Sequence, residues 1–255
     1  MSLFSLKGQV VAVVGAASGI GEAVARGAAR EGASVVALDI DERGLASMCE
    51  AIRKAGGSAS FRRLDIRDRK DVETALGAIE DLEGVVSTPG VNVRKRVLDY
   101  SDEELDRVID INLKGNFHVL QAAGRILSAR KKGSIVLFSS IRSLLVEPGQ
   151  SVYAATKAGV VQMVRGLAAE LGPSAVRVNA VAPGVVETPL TAPIQSNPEW
   201  YRAYAEKNAL KRWASADEMV GPTLFLLSEA ASYVTGAVLF VDGGWTAIDG
   251  RFDPP

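Results

Sequence analysis

Short runs of β-branched and apolar residues alternate along this chain with longer segments rich in Ala, Leu, Glu and Arg, and that alternation restricts the fold more than any other feature. Residues 10–14, 34–38, 58–64, 84–87, 134–138, 176–181 and 237–241 read as strands. Residues 19–31, about 42–55, 68–81, 101–130, 151–171 and 216–228 read as helices. Ser101 before Asp102-Glu103-Glu104 is an N-cap with an acidic first turn, and Gly172-Pro173 stops the helix that follows the fifth strand. The strands are almost continuously apolar, the pattern of a parallel sheet buried on both faces. The expected architecture is α/β: a doubly wound, parallel, seven-stranded sheet with helices on both faces and right-handed crossovers. No linker, repeat or low-complexity stretch divides residues 1–255, so one domain is expected. One long irregular stretch, 183–212, holds Pro189, Pro193 and Pro198 and a short helix around 199–207. A loop of that length in a compact domain is a candidate lid, and its part from about 184 to 212 is the expected substrate loop.

Charge and residue usage exclude several classes. The 29 basic and 30 acidic side chains leave a net charge of −1, which offers no bulk attraction to nucleic acid or a membrane surface. No apolar run reaches the roughly 18 residues of a membrane span, and the first residues lack the apolar core of a signal peptide. A cytoplasmic location is expected. The single cysteine, Cys49, allows no disulfide within the chain and fits a reducing compartment. The single histidine, His118, argues against a histidine-built metal site or a Ser-His-Asp triad; it reads as a helix residue near Phe117. No metal is expected.

The segment Gly15-Ala16-Ala17-Ser18-Gly19-Ile20-Gly21 follows the first strand and opens the first helix. Glycines there let the backbone approach a pyrophosphate, which the free N–H groups and positive end of the helix dipole attract. Asp39 ends the second strand, where a carboxylate accepts hydrogen bonds from ribose hydroxyls and repels a 2′-phosphate. Ala16, Ala17 and Ser18 supply no compensating cation. NAD is therefore expected over NADP. A helix-capping role for Asp39 is the alternative, and Asp41 could serve as that cap instead. Asp65 ends the third strand in the same way, reaching an adenine or capping a helix.

Tyr153 and Lys157 lie four apart in a helical segment, so their side chains leave one face. A free phenol has a pKa of about 10, and a neighbouring ammonium favours the phenolate. Ser140, at the end of the fifth strand, offers a hydroxyl to a substrate oxygen.

Together these motifs resemble the short-chain dehydrogenase/reductase family over nearly the whole chain. Gly15-x-x-x-Gly19-x-Gly21, Asn112, Ser140, the Tyr153-x-x-x-Lys157 pair, residues 179–188 and Val241-Asp242-Gly243-Gly244 occur in the family's order. The resemblance implies a single-domain Rossmann fold and a catalytic set of Asn112, Ser140, Tyr153 and Lys157, with Asn112 positioning a water beside Lys157. It implies cofactor contacts from Gly15, Ser18, Gly19, Ile20, Gly21, Asp39, Asp65, Ile66 and Gly90. It adds Tyr153, Lys157, Pro183, Gly184, Val186 and Thr188 at the nicotinamide end. It also implies a homotetramer built on residues 101–130, residues 151–171 and the last strand, with the tail 249–255 packed on a neighbour or frayed. Ser87-Thr88-Pro89-Gly90 departs from the family's Asn-Asn-Ala-Gly and puts the local packing in question.

The substrate is read from Arg94 and Arg142, which border the pocket in this fold and offer bidentate recognition of a carboxylate, alongside Ser140 and Tyr153. Asn92-x-Arg94 and the ending from Val241 to Ala247 resemble the gluconate 5-dehydrogenase type of member. The expected activity is NAD-dependent interconversion of a secondary alcohol and a ketone, on a polyol, sugar or sugar acid. Alternatives are a 3-oxoacyl-thioester reductase or other carbonyl reductase, a hydrophobic or aromatic alcohol as substrate, and a catalytically silent NAD-binding regulatory subunit.

Overall fold

The computed structural model describes residues 3–248. Strands β1 (Val10–Val14), β2 (Ser34–Asp39), β3 (Ser58–Arg63), β4 (Leu82–Ser87), β5 (Gly133–Phe138), β6 (Val176–Pro183) and β7 (Val238–Val241) form one sheet. Its order is β3-β2-β1-β4-β5-β6-β7, and every pairing is parallel. The helices are α1 (Gly19–Arg30), α2 (Glu42–Lys54), α3 (Arg69–Gly77), α4 (Asp102–Ile109), α5 (Asn116–Arg130), α6 (Ser151–Leu171), α7 (Ala192–Gln195), α8 (Pro198–Lys207) and α9 (Val220–Leu227). Alternate residues of β1 divide between two cores. Val11 and Val13 pack with Val24, Leu45 and Leu224 on one face, while Ala12 and Val14 pack with Val119, Val160 and Val164 on the other. Both faces of the central strands are therefore covered, as their apolar runs predict, whereas the edge strand β3 is mostly exposed. The strand order reverses at β1, between β2 and β4, and such a switch opens a crevice beyond the carboxyl ends of the strands.

Local chemistry sets the element ends. Asp41 caps α2 by accepting from the N–H groups of Arg43 and Gly44, and Asp68 caps α3 through Lys70 and Asp71. Neither Asp39 nor Asp65 is thus needed as a cap. Ser101 and Glu104 form a reciprocal capping box at α4. The helix expected over 101–130 is interrupted: Asp110–Gly115 takes a wider π-helical turn between α4 and α5. Such single wide turns re-aim a side chain. Here Asn112, on that turn, is fully buried and clamps the loop that follows β4.

The irregular stretch expected over 183–212 is more ordered than its prolines suggest. Asn197 caps α8 and Pro198 occupies its first turn, where a missing N–H is harmless. Tyr201 stacks on Trp213 with ring centroids 5.1 Å apart, and Tyr204 leans on both Trp213 and Trp245. These aromatic contacts fasten this stretch to the body of the fold. His118 lies with its Nδ1 2.9 Å from the Ile66 carbonyl. Among the described residues no helix is long and apolar enough to cross a membrane. The expectation for residues 249–255 lies outside the described residues.

Candidate active site

The crevice at the switch point is a cleft of about 600 Å³. It gathers Gly15, Ser18, Gly19, Ile20 and Gly21 from the β1–α1 turn, Asp39 from β2, Asp65 and Ile66 from after β3, Gly90 from after β4, and Thr188 from the lid. The turn needs its glycines for space. A Cβ on Gly21 would lie 2.0 Å from the Gly15 carbonyl oxygen. Ser18 precedes α1 without capping it, so the first amide N–H groups of the helix are not taken by that side chain. A tight cradle with donors at a helix start fits a pyrophosphate. Asp39 accepts from the backbone N–H groups of Ala17 and Asp41 at 3.1 Å each, which fixes an acceptor-only carboxylate in the cleft beside exposed Ile40. Asp65 is engaged by Arg67, whose guanidinium holds its carboxyl below the usual carboxylate range. Arg67 and Arg107 also line the cleft and carry no motif that sequence reading could single out.

Ser87 and Thr88 answer the departure from the family pattern. The Ser87 hydroxyl donates to Asn116 Oδ1 at 2.8 Å, and Thr88 Oγ1 donates to the Val14 carbonyl at 3.0 Å. The end of β4 is thus pinned both to α5 and to the glycine turn. Asn112 exchanges two 2.8 Å hydrogen bonds with the backbone of Val91 and donates to Thr156 at 3.2 Å. Its side chain is committed to holding this loop against α6.

At the inner end of the cleft, Tyr153 and Lys157 project from α6, both buried. Lys157 Nζ donates to the Phe138 carbonyl at 2.9 Å and sits 5.6 Å from the centre of the Tyr153 ring. A Cβ on Gly90 would come within 3.2 Å of that ammonium, so glycine leaves the approach from the cleft open. Burial lowers the Lys157 pKa to about 8. Burial also raises the Tyr153 phenol, opposed first by its hydrogen bond with Ser140 and then by the charges of Arg142 and Arg94. The sequence reading assigned that lowering to Lys157, which lies beside the ring; the Ser140 hydroxyl and the charges of Arg142 and Arg94 also oppose the rise.

Ser140 and Tyr153 face a smaller cavity with Asn92, Arg94, Arg142 and Gly184. Pro183 ends β6 just before it, and Val186, at the start of the irregular stretch, is buried, its carbonyl accepting from Thr191. Arg94 and Arg142 do meet here, but both are engaged. Arg94 Nη1 donates to Glu147 Oε1 at 2.8 Å and Arg142 Nη2 to Glu147 Oε2 at 2.7 Å. Gln150 and Tyr204 donate to the same carboxylate, and the Trp245 ring lies 5.5 Å from the Arg142 guanidinium. The polar donors hold the Glu147 carboxyl below its usual range despite burial. Sequence reading missed Glu147, Gln150, Tyr204 and Trp245. Asn92 Oδ1 is a buried acceptor with no partner, a state that costs roughly 1–3 kcal/mol unless something donates to it.

Residues 15–246 match the family described as enoyl-(acyl carrier protein) reductase. The chain is 37% identical to the 3-oxoacyl-[acyl-carrier-protein] reductase FabG of Thermotoga maritima, over 94% of this chain and 98% of that protein. It is 37% identical to a cyclopentanol dehydrogenase of Comamonas sp., covering 94% and 97%. It is 34% identical to the gluconate 5-dehydrogenase of Gluconobacter oxydans, covering 96% and 97%. Among solved structures, a putative NAD(P)-dependent gluconate 5-dehydrogenase from Beutenbergia cavernae, with bound NADP at low occupancy, superposes with a TM-score of 0.94 at 36% identity, covering 97% and 100%. A gluconate 5-dehydrogenase from Burkholderia cenocepacia in complex with NADP and tartrate gives a TM-score of 0.92 at 30% identity, covering 96% and 98%.

Proposed function

The chain belongs to the short-chain dehydrogenase/reductase family and is an NAD(P)-dependent oxidoreductase interconverting alcohols and ketones, and from that premise we propose that it oxidises a secondary alcohol of a polyol, sugar or sugar acid with NAD. The observation that supports this most is the buried Tyr153, one helical turn from Lys157 and facing, with Ser140, the small polar cavity beside the dinucleotide cleft. A nicotinamide bound at that junction supplies the hydride acceptor for oxidation or the donor for reduction. Ser140 Oγ holds the carbinol oxygen and stabilises its developing negative charge. Tyr153 Oη takes the hydroxyl proton in oxidation and returns it in reduction. Lys157 would hold the ribose beside the tyrosine, and Asn112 fixes the Val91 loop that would border the nicotinamide.

NAD is preferred on the strength of Asp39, which would accept from the adenosine ribose beside uncharged Ala17, Ser18 and Ile40. The relatives with NADP bound make this the point to test. Replacing Asp39→Ala together with Ile40→Arg is expected to shift the NAD-to-NADP ratio of kcat/KM on the order of 100-fold toward NADP, because like-charge juxtaposition costs several kcal/mol and about 1.4 kcal/mol is a factor of ten. A wild-type enzyme already favouring NADP, with an unchanged ratio in the variant, would defeat the assignment. The substrate class is tested in the same assay by polyols, sugar acids, cyclopentanol and a 3-oxoacyl thioester, each with both cofactors. Turnover of the thioester alone, with NADPH, would favour the reductase reading. NAD binding with no turnover would favour a silent regulatory subunit.

The family resemblance further supports a homotetramer. Exposed Phe117 on α5 and the long helix α6 offer apolar contact surface for it. The unpaired thiol of Cys49 supports a reducing, cytoplasmic setting.

A further inference from the structure

The cavity shared by Ser140 and Tyr153 is small, about 70 Å³, so the side chains around it stand close to one another. Its charged lining has a single sign. Among the described residues Arg94 and Arg142 line it, and no carboxylate does. Glu147 stands behind that wall. It takes an N–H from each guanidinium and so holds two like charges side by side, yet it does not line the space they face. Two guanidiniums against one carboxylate leave one positive charge uncompensated.

The bonding capacity of the wall points the same way. Gln150 Oε1 accepts from Asn92 and its Nε2 donates to Glu147. The Tyr204 hydroxyl donates to Glu147 and accepts from Arg94. Both side chains are thus occupied within the protein. The guanidiniums are not, since each carries five N–H donors. Arg142 gives Nη2 to Glu147, and Arg94 gives Nη1 to Glu147 and Tyr204; their other nitrogens have no partner among the described residues. The Arg142 side chain is only 7% exposed. The sealed and partnerless side-chain atoms among the described residues are Asn92 Oδ1 and Asn208 Oδ1, so Nε and Nη1 of Arg142 reach open space. The space that Arg142 lines is this cavity. Its backbone N–H also donates to Ser140 Oγ at 3.1 Å, which ties the cation to the hydroxyl that receives the carbinol. A positive, donor-rich wall of this kind suits a carboxylate, which only accepts and fits the guanidinium fork.

Resting on the alcohol dehydrogenase reading above, we propose that the substrate is a 2- or 3-hydroxy acid, and that Arg142 and Arg94 receive the carboxylate beside its reacting carbinol. A sugar acid oxidised far from its carboxylate, as at C5 of gluconate, would not bring both groups into so small a space. Arg142 and Arg94 are thus specificity-determining residues, and neither moves the carbinol proton.

Pairing each acid with its own amide isolates the charge, because the two have nearly the same shape. 2-Hydroxybutanoate, 3-hydroxybutanoate and 5-hydroxyhexanoate, their amides, cyclopentanol and glycerol 3-phosphate are assayed by NADH formation with the whole protein. In the wild type the better of the two short acids is expected to exceed its amide by at least about tenfold in kcat/KM, since hydrogen bonds to a charged group are roughly twice as strong as neutral ones. 5-Hydroxyhexanoate and its amide should differ little. Arg142→Met should bring the short-acid ratio toward one, and Arg142→Lys, which keeps the charge without the fork, should restore part of it. Arg94→Met, at a more exposed position, should lower the ratio as well and serves if Arg142→Met does not fold. A wild type that turns over the amides as well as the acids overturns the inference without any variant. So does a preference for 5-hydroxyhexanoate, cyclopentanol or the phosphate ester over both short acids, or a ratio untouched by the arginine substitutions. Binding of NADH with no turnover of any probe overturns the dehydrogenase reading itself, a result distinct from turnover without acid preference.

Discussion

Tyr153→Phe is expected to leave a folded protein that still binds NADH but oxidises alcohols about a thousandfold more slowly, within the range of about 10² to 10⁴ that positioned proton transfer contributes. The change removes one oxygen and keeps the ring, so the packing of α6 against the core survives. What disappears is the phenol proposed to take the carbinol proton, beside the Ser140 hydroxyl in the same cavity. The pH profile makes the assignment specific. Oxidation needs the phenolate, and burial raises the phenol above its ordinary value. The oxidation rate of the wild type should therefore climb on the alkaline side, and that limb should be missing in the residual activity of the variant. Ser140→Ala should move the limb further toward alkaline pH, since the Ser140 bond is the first of the influences that lower the phenol. Near-normal turnover in Tyr153→Phe would remove the proton-transfer role from this residue.

How much of this was legible in the sequence depends on the range over which each signal acts. The glycine turn, the cap residues Asp41, Asp68 and Ser101, and the Tyr153–Lys157 spacing are local, so composition and period expose them. Buried strands announce themselves because both faces are apolar. The π turn around Asn112 was not legible, because one extra residue per turn leaves the apolar pattern nearly unchanged while rotating a polar side chain inward. Glu147 was invisible for a different reason. It meets Arg94 from 53 residues away and Tyr204 from 57, and no local rule links positions so distant. The arginines were found by their placement on pocket-bordering loops, whereas the carboxylate that occupies them needed three-dimensional contact to appear. The lid followed the same pattern: prolines predict a break, but stacking of Tyr201 on Trp213 decides that the segment is held down.

Lys157→Met is expected to yield a protein that is more stable than the wild type without cofactor at neutral pH, and inactive. The ammonium is buried, donates one backbone hydrogen bond, and has its pKa lowered to about 8 from 10.5 by desolvation alone. Keeping that charge inside at pH 7 corresponds to roughly 3 kcal/mol of destabilisation, from which the lost bond to the Phe138 carbonyl subtracts about 1 kcal/mol. The net gain of about 2 kcal/mol corresponds to a rise in Tm of roughly 4–8 °C for a chain of this size. The sign fixes the pH window. The lysine pKa is lower folded than unfolded, so between about 8 and 10 the unfolded chain holds more protons and wild-type stability rises with pH. Below about 8 both states are protonated and the penalty is fully present. The advantage of Lys157→Met should therefore be largest at pH 7 and shrink as thermal unfolding is repeated up to about pH 10, below the range in which Tyr153 titrates. A variant no more stable than the wild type at pH 7, or a gap that does not close with pH, would show that the ammonium is better solvated than its burial implies. A charge that destabilises the fold yet is kept beside Gly90 at the inner end of the cleft serves binding rather than stability. Methionine should release that strain and remove the cation that the ribose and the phenolate of Tyr153 require.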